Sequence, residues 1–333
     1  MLEKSRPQDQ KPIAVHQTHP ELHHYTDEGG LRGIVESNSL WGTYFEHLND
    51  SSEIHRLRET FISSLTDRLE QLFVRLRAER CHHAAVWKTK GPEYVARIWA
   101  NNLYQVIFRT EKASRTTETY VTSFCSHASD LAYEQRNGLL SQWRGYGRDG
   151  FCLVFDTEKL LTHLGMEANL YMYAYNGCHE AHYPREGIPP AELFGKLLAS
   201  SEDILHQALM NNGELNVDEA LVPFVVSAVT FKHEGFFEER EVRLILIAGT
   251  EKGDQQMEGV EGYKQTPVKP RFIRKRGDTE REHITLFGAD FPPLPIKRVI
   301  VGPSRNQEQN AEIAIEILGA EIPVEKSETP YVD

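Results

Sequence analysis

Apolar residues recur every second or every third to fourth position along most of the chain, which predicts alternating strands and helices. Residues 21–45 are predicted to form a strand, a short helix and a returning strand. A long helix follows, and its predicted apolar face is formed by Leu57, Phe61, Leu65, Leu69, Phe73 and Leu76. A second helix is predicted to begin at Pro92, because proline is favoured in the first helical turn. These two helices form a predicted insertion at about 54–115.

Strands and helices of both kinds are predicted beyond this insertion. The clearest strand is Glu241–Ile247, and Lys269–Arg276 alternates basic and apolar residues as an edge strand would. Other strands are predicted at 119–125, 150–155, 168–175, 297–301 and 321–325, and helices at 190–211, 216–229 and 307–318. The mixture predicts a single α+β domain over 21–333, behind a flexible N-terminal arm at 1–20.

Composition and charge narrow the classes of protein that fit this chain. Its 333 residues are 40% hydrophobic and 26% charged, which excludes wholesale disorder. A net charge of −12 argues against a surface that is basic throughout, so any nucleic-acid contact must use a local basic patch. The longest apolar runs fall short of the roughly 18 residues of a membrane span. With four scattered cysteines and a polar start, the chain is expected to be cytoplasmic and free of membrane contact.

Two glutamates stand at the start of the clearest predicted strand. Strand alternation places Glu239, Glu241 and Arg243 on one face of that strand. A carboxylate that leads into a buried strand is costly unless it is paired or has a function. The pattern therefore indicates either a catalytic carboxylate or an internal ion pair between Glu241 and a neighbouring arginine.

Two further runs carry side chains that suit a nucleotide. His24, before Tyr25 and Thr26, has ring nitrogens that can donate to or accept from a ribose hydroxyl. The run 143–147 combines Trp143, Arg144 and Tyr146, which suit ring stacking and phosphate contact. Each run also has an ordinary explanation, as a half-buried histidine beside a turn and as a turn with a core tryptophan.

The remaining motifs are weaker. Cysteine and histidine occur together at 178–182 and 81–83, but their spacing is not that of a zinc finger, so no metal site is predicted. The turn at 302–304 lacks the P-loop lysine and is predicted to be structural. The basic run Lys269–Arg276 is either a solvated edge or a contact surface for a polyanion.

Together these pieces resemble a bacterial family known as domain of unknown function 2971, over nearly the whole chain. The matching pieces, in chain order, are His24-Tyr25-Thr26, Leu31, Ile34, Leu40-Trp41, Leu48-Asn49-Asp50, Glu53, Ser123-Phe124-Cys125, Trp143, Tyr146, Gly150, Phe231-Lys232-His233, Phe237, Glu239, Glu241-Val242-Arg243, Val301-Gly302-Pro303, Ser327 and Pro330-Tyr331. The helical insertion is less typical of that family.

The opening strand, helix and return strand also resemble those of ADP-ribosyltransferases, and especially the DNA-modifying toxins and tRNA 2′-phosphotransferases. This second resemblance implies an ADP-ribosyltransferase-like split β-sheet core with NAD as the substrate. It implies that Glu241, His24 and Glu239 are catalytic. NAD-binding roles are implied for Tyr25, Thr26, Asn49, Asp50, Ser123, Trp143, Arg144 and Tyr146. The chain departs from the arginine-serine-glutamate subclass, since a histidine replaces the first-strand arginine.

The resemblance predicts an NAD-consuming enzyme that modifies a nucleic acid or protein acceptor, or that hydrolyses NAD. A bacterial toxin or phage-defence effector with an antitoxin partner is the expected setting. Two alternatives stay open: a non-catalytic module that binds a nucleotide or nucleic acid, and a metal-dependent nuclease built on Asp50, Glu53 and Glu241.

Overall fold

The computed structural model describes residues 14–47, 51–78, 90–106, 114–127, 131–147, 149–184, 190–210, 218–260, 265–276 and 279–330. These residues form two compact units, each assembled from separate stretches of the chain. The first unit draws on 1–36, 125–162 and 293–333, and the second on 37–124 and 163–292. Of the predicted arm at 1–20, residues 1–13 lie outside the described part, and Val15–Thr18 form a short helix, α1.

The first unit contains four strands in the order β10-β9-β4-β1. They are β1 (Glu21–Thr26), β4 (Phe151–Asp156), β9 (Ile296–Val301) and β10 (Val324–Lys326). β4 pairs antiparallel with both β1 and β9, and its apolar residues are buried on both faces. The helices that belong to this unit are α2 (Glu28–Ser37), α5 (Ala132–Asn137), α6 (Leu140–Gly145) and α11 (Gln307–Leu318).

The second unit contains an antiparallel run of strands, β3-β2-β8-β7, in which β7 is an edge. β6 pairs with β3 and with β5. The bounds are β2 (Ser39–Tyr44), β3 (Thr117–Cys125), β5 (Tyr173–Glu180), β6 (Glu241–Gly249), β7 (Arg271–Arg276) and β8 (Thr279–Phe287). Every residue of β6 is buried, which explains its unbroken apolar character in the sequence.

Four helices of the second unit share one apolar core. They are α3 (Ser51–Ala78), α4 (Gly91–Tyr104), α8 (Pro190–Met210) and α9 (Asp218–Thr230). Phe61 of the predicted insertion contacts Phe194 and Phe224, with ring centroids 6.0 and 6.2 Å apart. The apolar face predicted for 57–76 is thus buried against helices that follow much later in the sequence.

The α+β class predicted from the sequence is confirmed, and so is the edge strand, which spans Arg271–Arg276. The strand predicted at 168–175 is displaced, because helix α7 (Thr157–Leu170) continues into this stretch and β5 begins only at Tyr173. The predicted loop at 249–262 contains helix α10 (Glu251–Met257), which begins where the Thr250 hydroxyl accepts the Gly253 N–H. β8 was not predicted, since its polar first half hides the alternation. Across the described residues, no helix is both long and apolar enough to cross a bilayer.

Gly150 offers a test of this packing. A Cβ at Gly150 would lie 2.2 Å from the backbone oxygen of Thr26, so the Gly150→Ala variant must displace a strand end. We expect a loss of roughly 1–3 kcal/mol in the free energy of unfolding. Gly165, which is exposed in α7 with open space around it, is the matched control: Gly165→Ala should stabilise by about 0.5–1 kcal/mol. Urea unfolding measures both, and equal midpoints for the two variants would contradict the described packing.

Candidate functional site

Glu241, the first residue of β6, lies at the centre of a buried ion-pair network in the second unit. Its Oε1 accepts from Arg243 Nε at 2.9 Å, while Oε2 accepts from Arg243 Nη2 at 2.9 Å and from Lys232 Nζ at 2.7 Å. Arg243 also donates to the backbone oxygen of Val229. The Glu241 N–H donates to the Tyr183 hydroxyl at 3.0 Å. Side chain and backbone of Glu241 are therefore fixed together.

This network holds Glu241 in its ionised form. Burial raises the pKa of the Glu241 carboxyl, but Arg243 and Lys232 lower it by a larger amount. The pKa therefore falls from 4.5 to about 2. At roughly 1.4 kcal/mol per pKa unit, this corresponds to about 3 kcal/mol in favour of the charged form. Burial lowers the pKa of Lys232, and its two carboxylate partners more than compensate, so the pKa is raised.

Glu239 reaches the same lysine from a more open position. Its Oε2 accepts from Lys232 Nζ, and 16% of its side chain is exposed, compared with 9% for Glu241. Among the described residues, Lys232 is the side chain that contacts this carboxylate. Glu239 ends the short 3₁₀ helix Glu234–Glu239, and Arg240 then adopts a left-handed conformation with φ of 42°. That turn brings the carboxylates of Glu239 and Glu241, which are two positions apart in the sequence, to the ammonium group of Lys232.

Exposed aromatic rings lie beside this pair of carboxylates. Phe236 and Phe237 are 47% and 43% exposed, although both belong to a short helix between buried segments. The Lys232 ammonium lies 5.0 Å from the centre of the Phe236 ring. Phe237 meets the Tyr183 ring edge-on at 5.6 Å. Carboxylates, an ammonium and open aromatic faces thus occur together within one stretch of about ten residues.

The first-strand residues of the predicted site lie in the first unit. His24 is half-buried and pairs with Leu153, and Thr26 pairs with Phe151. Tyr25 faces the opposite side of the strand, where its hydroxyl accepts the Leu139 N–H at 2.8 Å. The buried Tyr25 hydroxyl also lies 2.8 Å from His127 Nε2.

A stacked pair of imidazoles adjoins Tyr25. The rings of His23 and His127 are parallel to within 18°, with centroids 3.5 Å apart. Burial, followed by the charge on His127, lowers the pKa of His23 well below its usual range, so His23 is neutral at physiological pH. Neither histidine was predicted as a site residue, since a single buried histidine on a strand carries no recognisable pattern.

Trp143 is a core residue of the first unit. Its indole N–H donates to the backbone oxygen of Asn137 at 2.9 Å, and its ring meets Tyr25 edge-on at 4.7 Å. A Cβ at Gly147 or Gly302 would lie within 2.8 Å of the Trp143 ring, so the ring is closely packed. Arg144 and Tyr146 are exposed, Tyr146 to 58%. Of the two predicted stacking residues, Tyr146 is exposed and Trp143 is buried.

The other residues predicted to contact NAD lie in the second unit or outside the described residues. Ser123 lies half-buried in β3 of the second unit, where Glu239 and Glu241 are also found. Asn49 and Asp50 lie outside the described residues. Lys232 and Tyr183 were not predicted as site residues, because their distances from Glu241 in the sequence follow no helical or strand period. Arg243 was foreseeable, since it stands two positions beyond Glu241 on the same strand face.

The described side chains give little support to a metal site. Within the described ranges, no three histidine, cysteine or acidic side chains come together as metal ligands. The Cys81-His82-His83 run lies outside those ranges, and the side chain of Glu53 is not described.

The network makes a prediction about acid stability. The folded-state pKa of Glu241 lies below its unfolded value, so its contribution is complete above pH 4.5 and is lost as the pH falls toward about 2. Glu241→Gln leaves Arg243 buried without its carboxylate partner and Lys232 with Glu239 alone, and should cost roughly 3–5 kcal/mol at pH 7. Urea unfolding from pH 7 to pH 2.5 should show this deficit shrinking below about pH 4.5.

Glu239→Gln is the matched control for this measurement, because the same lysine loses a carboxylate that is less buried. It should cost much less than Glu241→Gln. Equal costs, or a Glu241→Gln deficit that does not change with pH, would contradict the network described above.

Comparison with known proteins assigns part of this architecture. Residues 142–244 match the family model described as Protein of unknown function (DUF2971). No curated protein and no solved structure matches the chain. The matched segment includes Trp143 and Tyr146 at one end and Lys232, Glu239 and Glu241 at the other. The DUF2971 resemblance drawn from the sequence is confirmed over residues 142–244, which match the model of that family.

Proposed function

We propose that this protein is an NAD-consuming enzyme of ADP-ribosyltransferase-like fold, which transfers ADP-ribose to a macromolecule or to water. The observation that carries the proposal is the pair Glu239 and Glu241 on Lys232, beside the exposed rings of Phe236 and Phe237. The ADP-ribosyltransferase resemblance expects the catalytic carboxylate at the start of this strand, which supports the proposal.

The chemistry requires a fixed anion. When the bond between ribose C1′ and the nicotinamide nitrogen breaks, nicotinamide leaves with the electron pair, and positive charge develops on the ribose. A carboxylate that accepts a hydrogen bond from the ribose 2′-hydroxyl stabilises this charge. The acceptor, either water or a group on a macromolecule, then bonds to C1′ and loses a proton. A carboxylate already held ionised and immobile pays little reorganisation cost during this step.

The two glutamates suit different tasks. Both oxygens of Glu241 are engaged by Arg243 and Lys232, and the side chain is buried. Glu239 is bonded through Oε2 and is the more exposed of the two. We therefore assign substrate contact to Glu239, and we assign to Glu241 the positioning of Lys232, which in turn orients Glu239. This division modifies the role that the resemblance gives Glu241.

The roles in NAD binding that the resemblance implies for His24, Thr26, Arg144 and Tyr146 stay predictions, because these residues belong to the first unit and the two glutamates to the second. Tyr25 and Trp143 are hydrogen-bonded to the backbone of the first unit. This favours a structural role for both residues over direct contact with NAD. Asn49, Asp50 and Ser123 remain predicted contacts. A toxin or phage-defence role with an antitoxin partner, in the cytoplasm, belongs to the same proposal.

The alternatives differ in what they require. A non-catalytic nucleotide or nucleic-acid module needs no accessible carboxylate and releases no nicotinamide. A nuclease built on Asp50, Glu53 and Glu241 requires a divalent ion. The full engagement of Glu241 by two cations leaves it poorly suited to metal ligation, which counts against the nuclease.

Nicotinamide release tests the proposal. The purified protein is incubated with NAD, alone and with DNA, RNA or cell lysate, and free nicotinamide is measured. We expect Glu239→Gln to lower the rate by roughly 100-fold or more, since removal of one electrostatic stabiliser typically has this effect. Because Glu239 is partly exposed, the variant should remain folded.

Glu238→Gln is the control, because it removes the same charge from the adjacent, exposed residue. It should retain the parent rate. Equal rates in Glu238→Gln and Glu239→Gln would remove the catalytic assignment. Absence of nicotinamide under every condition would favour the binding module.

A further inference from the structure

One sheet face of the second unit carries a cluster of rings that the proposed chemistry does not use. Trp41 on β2, Phe272 on β7 and His283 on β8 are mutual neighbours, with ring centroids 5.3 to 5.5 Å apart. Phe272 pairs directly with His283 across the two strands, and Thr43 pairs with His283 on the other side. Trp41 is 40% exposed. The rings therefore form a contiguous platform across three strands, next to an edge of the sheet, in which Trp41 is exposed, Phe272 is half-buried and His283 is buried.

Cations border this platform. The guanidinium of Arg274 lies over the Trp41 ring, 4.8 Å from its centre. Arg274 pairs with Arg281 across β7 and β8, and both side chains are exposed. Among the described residues, no carboxylate forms an ion pair with either arginine. Burial, with His47 and these arginines, lowers the pKa of His283 to about 4, so His283 is a neutral ring at neutral pH.

The opposite face of the same strands has a different character. Lys275 pairs with Glu280 at 2.9 Å, and Arg271 pairs with Glu118. Lys269 is buried against Glu167. Strand alternation therefore separates the basic run predicted from the sequence into neutralised cations on one side and Arg274 on the other. The acids Glu280 and Glu282 of β8 also fall on the side away from Trp41.

We propose that this platform, with Trp41, Phe272, Arg274 and Arg281 as its contact residues and the buried His283 as their support, binds single-stranded nucleic acid. Unpaired bases stack on aromatic rings and on guanidinium planes, and Arg274 over Trp41 already provides both in one column. The two arginines meet the phosphates. Duplex nucleic acid hides its base faces and so cannot use the rings. Because the chain as a whole carries a charge of −12, attraction at long range is weak and binding depends on these local contacts.

This inference is independent of the proposed NAD chemistry. Its test contains no NAD, and Glu239 and Glu241 lie outside the platform. A protein that binds single strands but releases no nicotinamide would retain the platform and lose the catalytic proposal. A protein that releases nicotinamide but binds no single strands would retain the catalytic proposal and lose the platform.

The test is fluorescence anisotropy of labelled oligonucleotides of about 12 residues, as single-stranded DNA, single-stranded RNA and duplex. Trp41→Ala should weaken single-strand binding by roughly tenfold, since loss of one stacked base costs about 1–3 kcal/mol. Phe272→Ala should act in the same direction, and provides a second variant in case Trp41→Ala unfolds. Arg274→Ala should reduce the slope of log affinity against log salt by about one.

Lys275→Ala is the matched control, since Lys275 is an exposed cation on the same strand but on the opposite face, paired with Glu280. It should change affinity by less than about twofold. The proposal is overturned if single strands do not bind, if duplex binds as tightly, or if Lys275→Ala weakens binding as much as Arg274→Ala while Trp41→Ala has no effect. A preference between DNA and RNA would identify which single strand the platform selects.

Discussion

The carboxylate of Glu241 is the constraint on which the second unit's candidate site depends. An ionised group buried to this degree is tolerated only because Arg243 and Lys232 satisfy both of its oxygens. The same two cations reach outward, Arg243 to the backbone of α9 through Val229 and Lys232 to Glu239. One charge therefore fixes the start of β6, the end of α9 and the short helix that presents Phe236 and Phe237. Removing it would disturb all three at once, which distinguishes it from an ordinary surface ion pair.

Much of the secondary structure could be predicted because it follows local rules. The periodic apolar residues of α3 and the continuous apolar run of β6 predict directly that these residues are buried. β8 and the helix Glu251–Met257 could not be predicted in the same way, since one begins with polar residues and the other depends on a single threonine cap. The grouping of the chain into units built from distant segments has no local signal at all.

The candidate site was only partly foreseeable for a related reason. Alternation correctly placed Glu241 and Arg243 on one strand face, and both interpretations of Glu241, catalytic and ion-paired, followed from that. It was wrong for Glu239, which precedes the strand and is brought in by the left-handed turn at Arg240. The choice between the two interpretations depends on Lys232 and Tyr183. These residues reach Glu241 only through the tertiary structure. Similarly, a basic run along Lys269–Arg276 looked uniform, but pairing with Glu167 and Glu118 neutralises two of its members and leaves Arg274 on the ring face. Which cation is available is decided by partners remote in the sequence.

The central claim is that Glu239, supported by Lys232 and Glu241, is the carboxylate that meets NAD. Carbodiimide labelling of carboxylates with an amine, followed by mass spectrometry, measures this directly, and cleavage after Arg240 places the two glutamates on separate peptides. The account predicts that Glu239 is labelled faster than Glu241, in keeping with its greater exposure, and that saturating NAD slows labelling of Glu239 while leaving the exposed Glu238 unchanged. Equal labelling of Glu239 and Glu241, or a Glu239 rate that NAD does not alter, would contradict it.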